Sequence, residues 1–231
     1  MLIGLSGKIG SGKDTAADFI EEIISNDPTG FPIFKTIRFA DKVKEIVALI
    51  LGISINELED RDFKNKPLGS DWTRWKVTTA SGSVQLFDNQ LSATLFSEAS
   101  HNSILEISEL TPRDLLILIG TESGRKLIHP NIWVNITKRE CQSYLNKGYI
   151  VFVPDVRFEN ELDALESIGG IVIRINREVS DAIHSAKVND SETSLDHYPF
   201  KWTIANTGSL NEFKQSVQTT WKLINEKTNQ K

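Results

Sequence analysis

The sequence predicts an α/β fold: a doubly wound parallel sheet of about five strands with helices on both faces. Three observations carry that expectation. The apolar run Leu2-Ile3-Gly4-Leu5-Ser6 passes directly into the glycine-rich stretch Gly7-Lys8-Ile9-Gly10-Ser11-Gly12-Lys13-Asp14-Thr15, and the apolar residues beyond it (Ala16, Ile20, Ile23, Ile24) recur at helical spacing. A second apolar run, from Gly148 to Pro154, ends in Asp155, the pattern of a central strand buried on both faces. Short apolar runs then alternate with amphipathic stretches along the chain, as strands joined by helical crossovers should.

The first strand–loop–helix unit spans residues 2–26 and closes on Asn26-Asp27-Pro28-Thr29-Gly30, a strong turn signal. Ile33 to Phe39 reads as the second strand and Asp41 to Val47 as a helix. From 52 to 110 the sequence turns polar, loop-like around Asp60-Arg61-Asp62-Phe63-Lys64, and carries Trp72 and Trp75. Too long for a simple connection, it is expected to be a mostly helical or irregular insertion serving a second ligand. Thr111-Pro112 opens a helix, with Thr as cap and Pro at the first helical position. Asn131 is expected to cap the next, which carries Trp133, Ile136, Cys141, Tyr144 and Leu145. Phe158, Leu162, Leu165 and Ile168 mark a helix ended by Gly169-Gly170, and Ile171 to Ile175 is the next strand. Residues 176–200 are polar and read as a lid-like flap. Trp202 to Ala205 is a last short strand, and Leu210, Phe213, Val217, Trp221 and Ile224 mark a final amphipathic helix. Residues 1–231 are expected to form a single domain carrying the insertion and the flap.

Composition narrows the class. The formal charge of −5 argues against a general polyanion-binding surface, so no nucleic-acid partner is expected, although a local basic pocket is compatible with it. Cys141 is the only cysteine, which precludes an internal disulfide and suits a reducing cytoplasm; in a helical context it reads as a packed thiol. No apolar run is long enough to span a membrane, and Met1-Leu2 leads straight into a strand rather than a signal peptide. The four histidines (101, 129, 184, 197) lack metal spacing, and Asp196-His197 reads as surface.

Gly7, four residues, then Gly12-Lys13 is the pattern of a P-loop. Its glycines let backbone N–H groups close on phosphate, a helix N-terminus adds partial positive charge, and Lys13 is the point charge expected at the outer phosphates. Asp14 stands where Ser or Thr usually ligates Mg²⁺, and the nearest hydroxyl is Thr15. This points to a nucleoside triphosphate. Asp155, at the carboxyl end of its strand, suits metal or acceptor positioning, with a helix N-cap as the alternative. Arg157 suits a bidentate phosphate contact. Arg113, Gly120, Thr121, Glu122 and Arg125 share one helical stretch; Arg113 and Thr121, eight residues apart, fall on roughly one face of an α-helix. Gly120 reads as close approach to a ligand or close helix packing, and Trp133 as core or ligand platform. Arg177 opens the flap, where an arginine can stabilise a transferring phosphoryl group. Lys42, Lys44, Arg61 and Lys64 read equally well as solvated charges.

Gly10-Ser11-Gly12-Lys13-Asp14-Thr15-Ala16-Ala17-Asp18-Phe19, Phe39-Ala40-Asp41, Ile119-Gly120-Thr121-Glu122, Ile132-Trp133-Val134, Val153-Pro154-Asp155-Val156-Arg157 and Asn206-Thr207-Gly208-Ser209-Leu210 occur in that order. In this the chain resembles the deoxynucleoside monophosphate kinases of tailed bacteriophages over most of its length, least across 52–110. The resemblance implies a P-loop NTPase fold and transfer of phosphate from ATP, with Mg²⁺, to a deoxynucleoside monophosphate in the cytoplasm of a host cell; it also accommodates a homodimer. It implies that Gly10, Ser11, Gly12, Lys13, Asp14 and Thr15 bind ATP and that Thr15 and Asp155 face the metal. It further implies that Lys44, Arg61, Arg113, Gly120, Thr121, Trp133, Asp155, Arg157 and Glu161 hold the acceptor, and that Lys13, Asp155, Arg157 and Arg177 act in the transfer. Ile117 departs from the family pattern, which has a polar glutamine there. Two other readings fit a P-loop: a different small-molecule kinase such as a dephospho-coenzyme A kinase, and a nucleotide-gated binding protein with slow hydrolysis.

Overall fold

Strand β1 (Leu2–Ser6) is buried along its whole length and organises the first of two units. In the computed structural model, which describes residues 1–26, 32–177 and 194–228, this unit comprises residues 1–41 and 131–231. Its five strands, β1, β2 (Phe34–Thr36), β6 (Ile150–Val156), β7 (Ile171–Asn176) and β8 (Trp202–Ala205), form one sheet in the order β2-β6-β1-β7-β8. Every pairing is parallel. Chain direction is therefore uniform, and all five strands present their carboxyl ends at one edge.

Alternation along the strands divides the core in two. Leu2, Val151, Val153 and Val172 face a cluster completed by Val134 and Cys141 of α7 (Ile132–Asn146) and Leu162 and Leu165 of α8 (Glu159–Glu166). Ile3, Leu5, Phe152, Ile173 and Ile175 face the other way, onto Ala16 and Ile20 of α1 (Lys13–Ser25) and Phe213, Val217, Trp221 and Ile224 of the last helix, α9 (Leu210–Thr228). Both faces need apolar side chains, which is why these strands read as mostly apolar runs.

The second unit, Lys42–Pro130, encloses the 52–110 stretch. It holds nearly all of α2 (Asp41–Leu51), then α3 (Ile55–Glu59), α4 (Arg61–Lys64), α5 (Gln90–Ala99) and α6 (Pro112–Ile117). It also carries an antiparallel sheet, in the order β4-β3-β5, of β3 (Thr73–Thr78), β4 (Val84–Phe87) and β5 (Ile104–Glu109). The stretch expected to be mostly helical or irregular thus contains a sheet. Its cue was the alternation Thr73-Arg74-Trp75-Lys76-Val77-Thr78, which buries Val77 and leaves charged residues on the other face. Val47, Ala48, Leu58, Leu110 and Leu115 form this unit's core. Thr111 and Asp114 make the capping box that starts α6, with Pro112 in the first turn.

α6 passes without a break into a wide π-type helix, Leu118–Ile128. The i→i+5 pattern puts more residues in each turn. Arg113 lies on α6 and Thr121 on its π-type continuation. Asn131 stands at the N-cap of α7 but makes no side-chain cap bond; its Oδ1 accepts from Asn160 Nδ2 at 2.7 Å instead. The expected turn at 27–30 and most of the flap, including His184 and Ser191–Thr193, lie outside the described residues. Among the described residues no helix is long and apolar enough to cross a membrane.

Cys141 is 0% exposed, and burial, reinforced by the charge of Glu140, pushes its thiol up to about 12. Thiolate is the reactive form. The folded protein should therefore resist a thiol-specific reagent at pH 8, and one equivalent should react once it is unfolded in denaturant. Rapid labelling of the native protein would show that α7 is not packed this way.

Candidate active site

The loop from Gly7 to Gly12 joins β1 to α1 and is held from three sides. Gly12 caps α1 with a left-handed backbone (φ 96°), and a Cβ there would stand 2.6 Å from Asn206 Nδ2. Only glycine lets that amide reach in, where it donates to the Ser11 carbonyl at 2.9 Å. A Cβ at Gly7 would lie 2.5 Å from Ser11 Oγ and 2.7 Å from the Ile175 carbonyl, so residue 7 must also lack a side chain. Lys13 Nζ folds back over the loop, donating to the carbonyls of Gly7 at 2.7 Å and Lys8 at 3.1 Å.

Ser11 is the strongest sign of a ligand. It is 1% exposed, and its hydroxyl is the buried side-chain polar atom left without a hydrogen-bond partner among the described residues. A buried hydroxyl without a partner is costly, which suits a site where an anion completes the bonding. Asp14, exposed in the first turn of α1, and half-buried Thr15 follow directly. The loop accordingly fits a nucleotide's phosphates.

Parallel register sets the loop's neighbours. Ser6 of β1 is opposite Val156 of β6 and Arg174 of β7. Asp155 therefore stands at the same sheet edge as the loop, its Oδ1 accepting Arg157 Nε at 2.8 Å. Glu161, 2% exposed, accepts the backbone N–H of Arg157 at 2.9 Å and of Phe158 at 3.3 Å. Helix α8 starts at Glu159, so the capping role considered for Asp155 belongs to Glu161, and Asp155 is left to its arginine. Arg177, just beyond β7, reaches the loop: its Nη1 donates to the Gly10 carbonyl at 3.3 Å.

Thr15 and Asp155 supply one hydroxyl and one carboxylate, and no group of three or more His, Cys, Asp or Glu poised for a metal occurs among the described residues. That sparse, all-oxygen donor set fits Mg²⁺, which keeps several waters and takes its remaining ligands from phosphates.

Four residues of this region had no role assigned from the sequence: Lys8, Arg174, Asp196 and Asn206. Arg174, 9% exposed, donates to Ser6 Oγ at 3.0 Å and to Asp196 Oδ1 at 2.7 Å. Lys8 Nζ meets Asp196 Oδ2 at 3.0 Å. Asp196, expected as plain surface, thus holds two cations because the chain returns to the loop after residue 193. With Ser11 and Arg177, the residues Lys8, Arg174 and Asp196 line a pocket of about 390 Å³. Asn206 was within reach of sequence reasoning, being polar and directly after the last strand, at the edge where ligand groups gather.

Trp133, in α7, is 5% exposed and so offers a ligand little of its ring. The remaining expected residues belong to the second unit. Lys44 and Lys64 both bind Glu59, Lys64 at 2.9 Å, and the two ammonium groups hold the Glu59 carboxyl down at about 2. Arg61 is exposed on α4. Arg113 Nε donates to Asn65 Oδ1 at 2.8 Å, and Lys126 binds Glu122 at 2.9 Å one turn away. Gly120 faces Val43 of α2, where a Cβ would come within 3.4 Å, so the close approach is between helices. Thr121 is exposed on the π-type helix.

No protein-family model matches the chain. It is 30% identical to the deoxynucleoside-5'-monophosphate kinase of Escherichia phage T5, with 71% of each chain covered. The chain belongs to the deoxynucleoside monophosphate kinase family. It is a P-loop nucleotide kinase, and the deoxynucleotide monophosphate kinase of Enterobacteria phage T4 is also related to it, at 24% identity over 96% of this chain and 99% of that one. Among solved structures, a dephospho-CoA kinase from Campylobacter jejuni is similar at 20% identity and a TM-score of 0.42, covering 98% of both chains.

Within the kinase's second unit, the Glu59 contacts give a pH signature. A carboxyl depressed to about 2 contributes stability that is fully present above its unfolded value of about 4.3 and is lost as pH falls through about 2. Because Glu59 is 45% exposed, screening keeps that contribution to about 1 kcal/mol or less. Urea unfolding of the parent and of Glu59→Gln should show the parent more stable at pH 7 and the gap closing below about pH 4. A gap independent of pH would mean that the lysines do not hold this carboxylate.

Proposed function

We propose that this kinase transfers the γ-phosphoryl group of ATP, with Mg²⁺, to the phosphate of a deoxynucleoside monophosphate, in the cytoplasm of a host cell. The observation that carries the reading is a convergence at one sheet edge. The phosphate loop follows β1, the Asp155–Arg157 pair ends β6, and Arg177 follows β7 to bond the loop itself. The names of the phage relatives supply the acceptor class.

Phosphoryl transfer asks for alignment and charge neutralisation more than covalent chemistry. The loop's backbone and Ser11 hold the donor phosphates, while Lys13 exchanges its two carbonyl partners for phosphate oxygens. Thr15 and Asp155 would hold Mg²⁺, which when bound would supply charge neutralisation to the donor phosphates. Arg157 offers a planar pair of donors to the acceptor or the transferring group, its backbone fixed by Glu161. Arg177 adds charge beside Gly10 of the loop. The bond that forms joins an acceptor phosphate oxygen to the γ-phosphorus; the bond that breaks releases ADP. Since the attacking oxygen is already anionic, no strong general base is required.

An acceptor screen with ATP, the four deoxynucleoside monophosphates, the matching ribonucleotides and dephospho-coenzyme A decides the substrate. Transfer to at least one deoxynucleotide is expected. Transfer to dephospho-coenzyme A alone, or hydrolysis with no acceptor dependence, would overturn the proposal. Lys13→Ala should fold normally and lose about a hundredfold or more in turnover, the scale of removing one charge-stabilising donor. Arg157→Lys should fail comparably, since lysine cannot supply a planar two-pronged contact. Near-parental kinetics in both variants would place the chemistry elsewhere.

A further inference from the structure

We infer that Asp196 is a positioning residue for the phosphate-binding loop, acting through Lys8. The inference rests on the function proposed above only in taking ATP as the ligand.

The starting point is Arg174, a cation 9% exposed that must be paired where it sits. Three contacts fix it: Nη1 on Ser6 Oγ at 3.0 Å, Nη2 on Asp196 Oδ1 at 2.7 Å, and its guanidinium carbon 5.5 Å from the centre of the Phe200 ring. An arginine so constrained immobilises the carboxylate it holds. Asp196 Oδ2 then stands ready for a second cation and takes Lys8 Nζ at 3.0 Å.

Lys8 is the second residue of the loop and works at both ends. Its side chain is tied outward to Asp196, while its carbonyl turns inward to accept Lys13 Nζ at 3.1 Å and the Ser11 N–H at 3.1 Å. The residue that Asp196 grips is therefore the one on which the phosphate-binding lysine and the loop's own turn both rest. A loop with glycine at 7, 10 and 12 has little intrinsic preference for a single shape. Without an external tether, the cost of ordering it falls on ligand binding. Lys8 and Asp196 are 39% and 27% exposed, so their pairing adds little to global stability; its effect is on the loop's conformation.

The test compares the parent with Lys8→Met, Asp196→Asn and the double variant, reading KM for ATP, kcat, and hydrogen exchange of the loop amides without nucleotide. Each single variant should raise KM for ATP about tenfold, with kcat and the acceptor's KM within about threefold, the split expected when a binding loop is loosened and the chemistry spared. The double variant should match the singles rather than multiply them, because both cut one tether. Exchange at residues 7–12 should quicken in both singles while β1 stays protected. A multiplied effect of about a hundredfold would instead make Lys8 a direct phosphate ligand and overturn the inference. Unchanged KM and unchanged exchange in Lys8→Met would overturn it as well. Lys8→Met leaves the Arg174–Asp196 pair intact, so it decides the matter even if Asp196→Asn does not fold. If the parent shows no acceptor-dependent transfer, the substrate assignment has failed separately. Hydrogen exchange and calorimetric ATP binding then still test the tether.

Discussion

Parallel pairing of β1 with β6 on one side and β7 on the other is the constraint on which the site depends. Once these strands run in the same direction, the segments that leave them emerge side by side. The glycine loop, the acid–arginine pair and Arg177 need no long side chains to meet, because the sheet has brought their backbones to one edge. Two-sided burial makes the arrangement rigid: Ile3 and Leu5 anchor β1 against α1 and α9, and Leu2 anchors it against α7 and α8. Ligand binding in open α/β sheets gathers at such an edge for this reason.

The charges at that edge are already placed. Lys13 lies on loop carbonyls, Arg157 on Asp155, Arg174 on Asp196, and Arg177 on the carbonyl of Gly10. In the proposed reaction a nucleotide meets groups that are already held at that edge. Binding replaces one set of polar contacts by another instead of drawing extended side chains out of water. The exception is the hydroxyl of Ser11, which has no partner among the described residues to give up.

Much of the sheet was legible because its physics is local. A parallel strand buried on both faces must be mostly apolar, and β1, β6 and β7 are, up to the polar residues at their carboxyl ends; a helix that follows must be amphipathic, and α1 and α9 are. The phosphate loop was legible because its glycines answer a steric demand, visible in the Cβ positions that Gly7 and Gly12 cannot accept. Three features were hidden for different reasons. The antiparallel sheet of the second unit was masked by charged residues on its exposed face. The shift from α to π geometry after Ile117 left no mark in composition. The pairing of Asp196 with Lys8 and Arg174 joins residues far apart in sequence, and only the return of the chain to the loop brings them together. Short-range patterns announce strands and caps; long-range ion pairs follow from topology.

That topology also bears on how the molecule comes to exist. The loop at residues 7–12 is synthesised well before its supports. β6 begins at Ile150, β7 at Ile171, and the Asn206 amide that closes over Ser11 follows β8. Contacts so distant in sequence require closure of very long loops before they return any energy, and this slows folding. A growing chain thus carries its phosphate-loop sequence before the strands that support it have been made. Competence arrives only when the final strand docks and α9 covers the face that α1 shares with it.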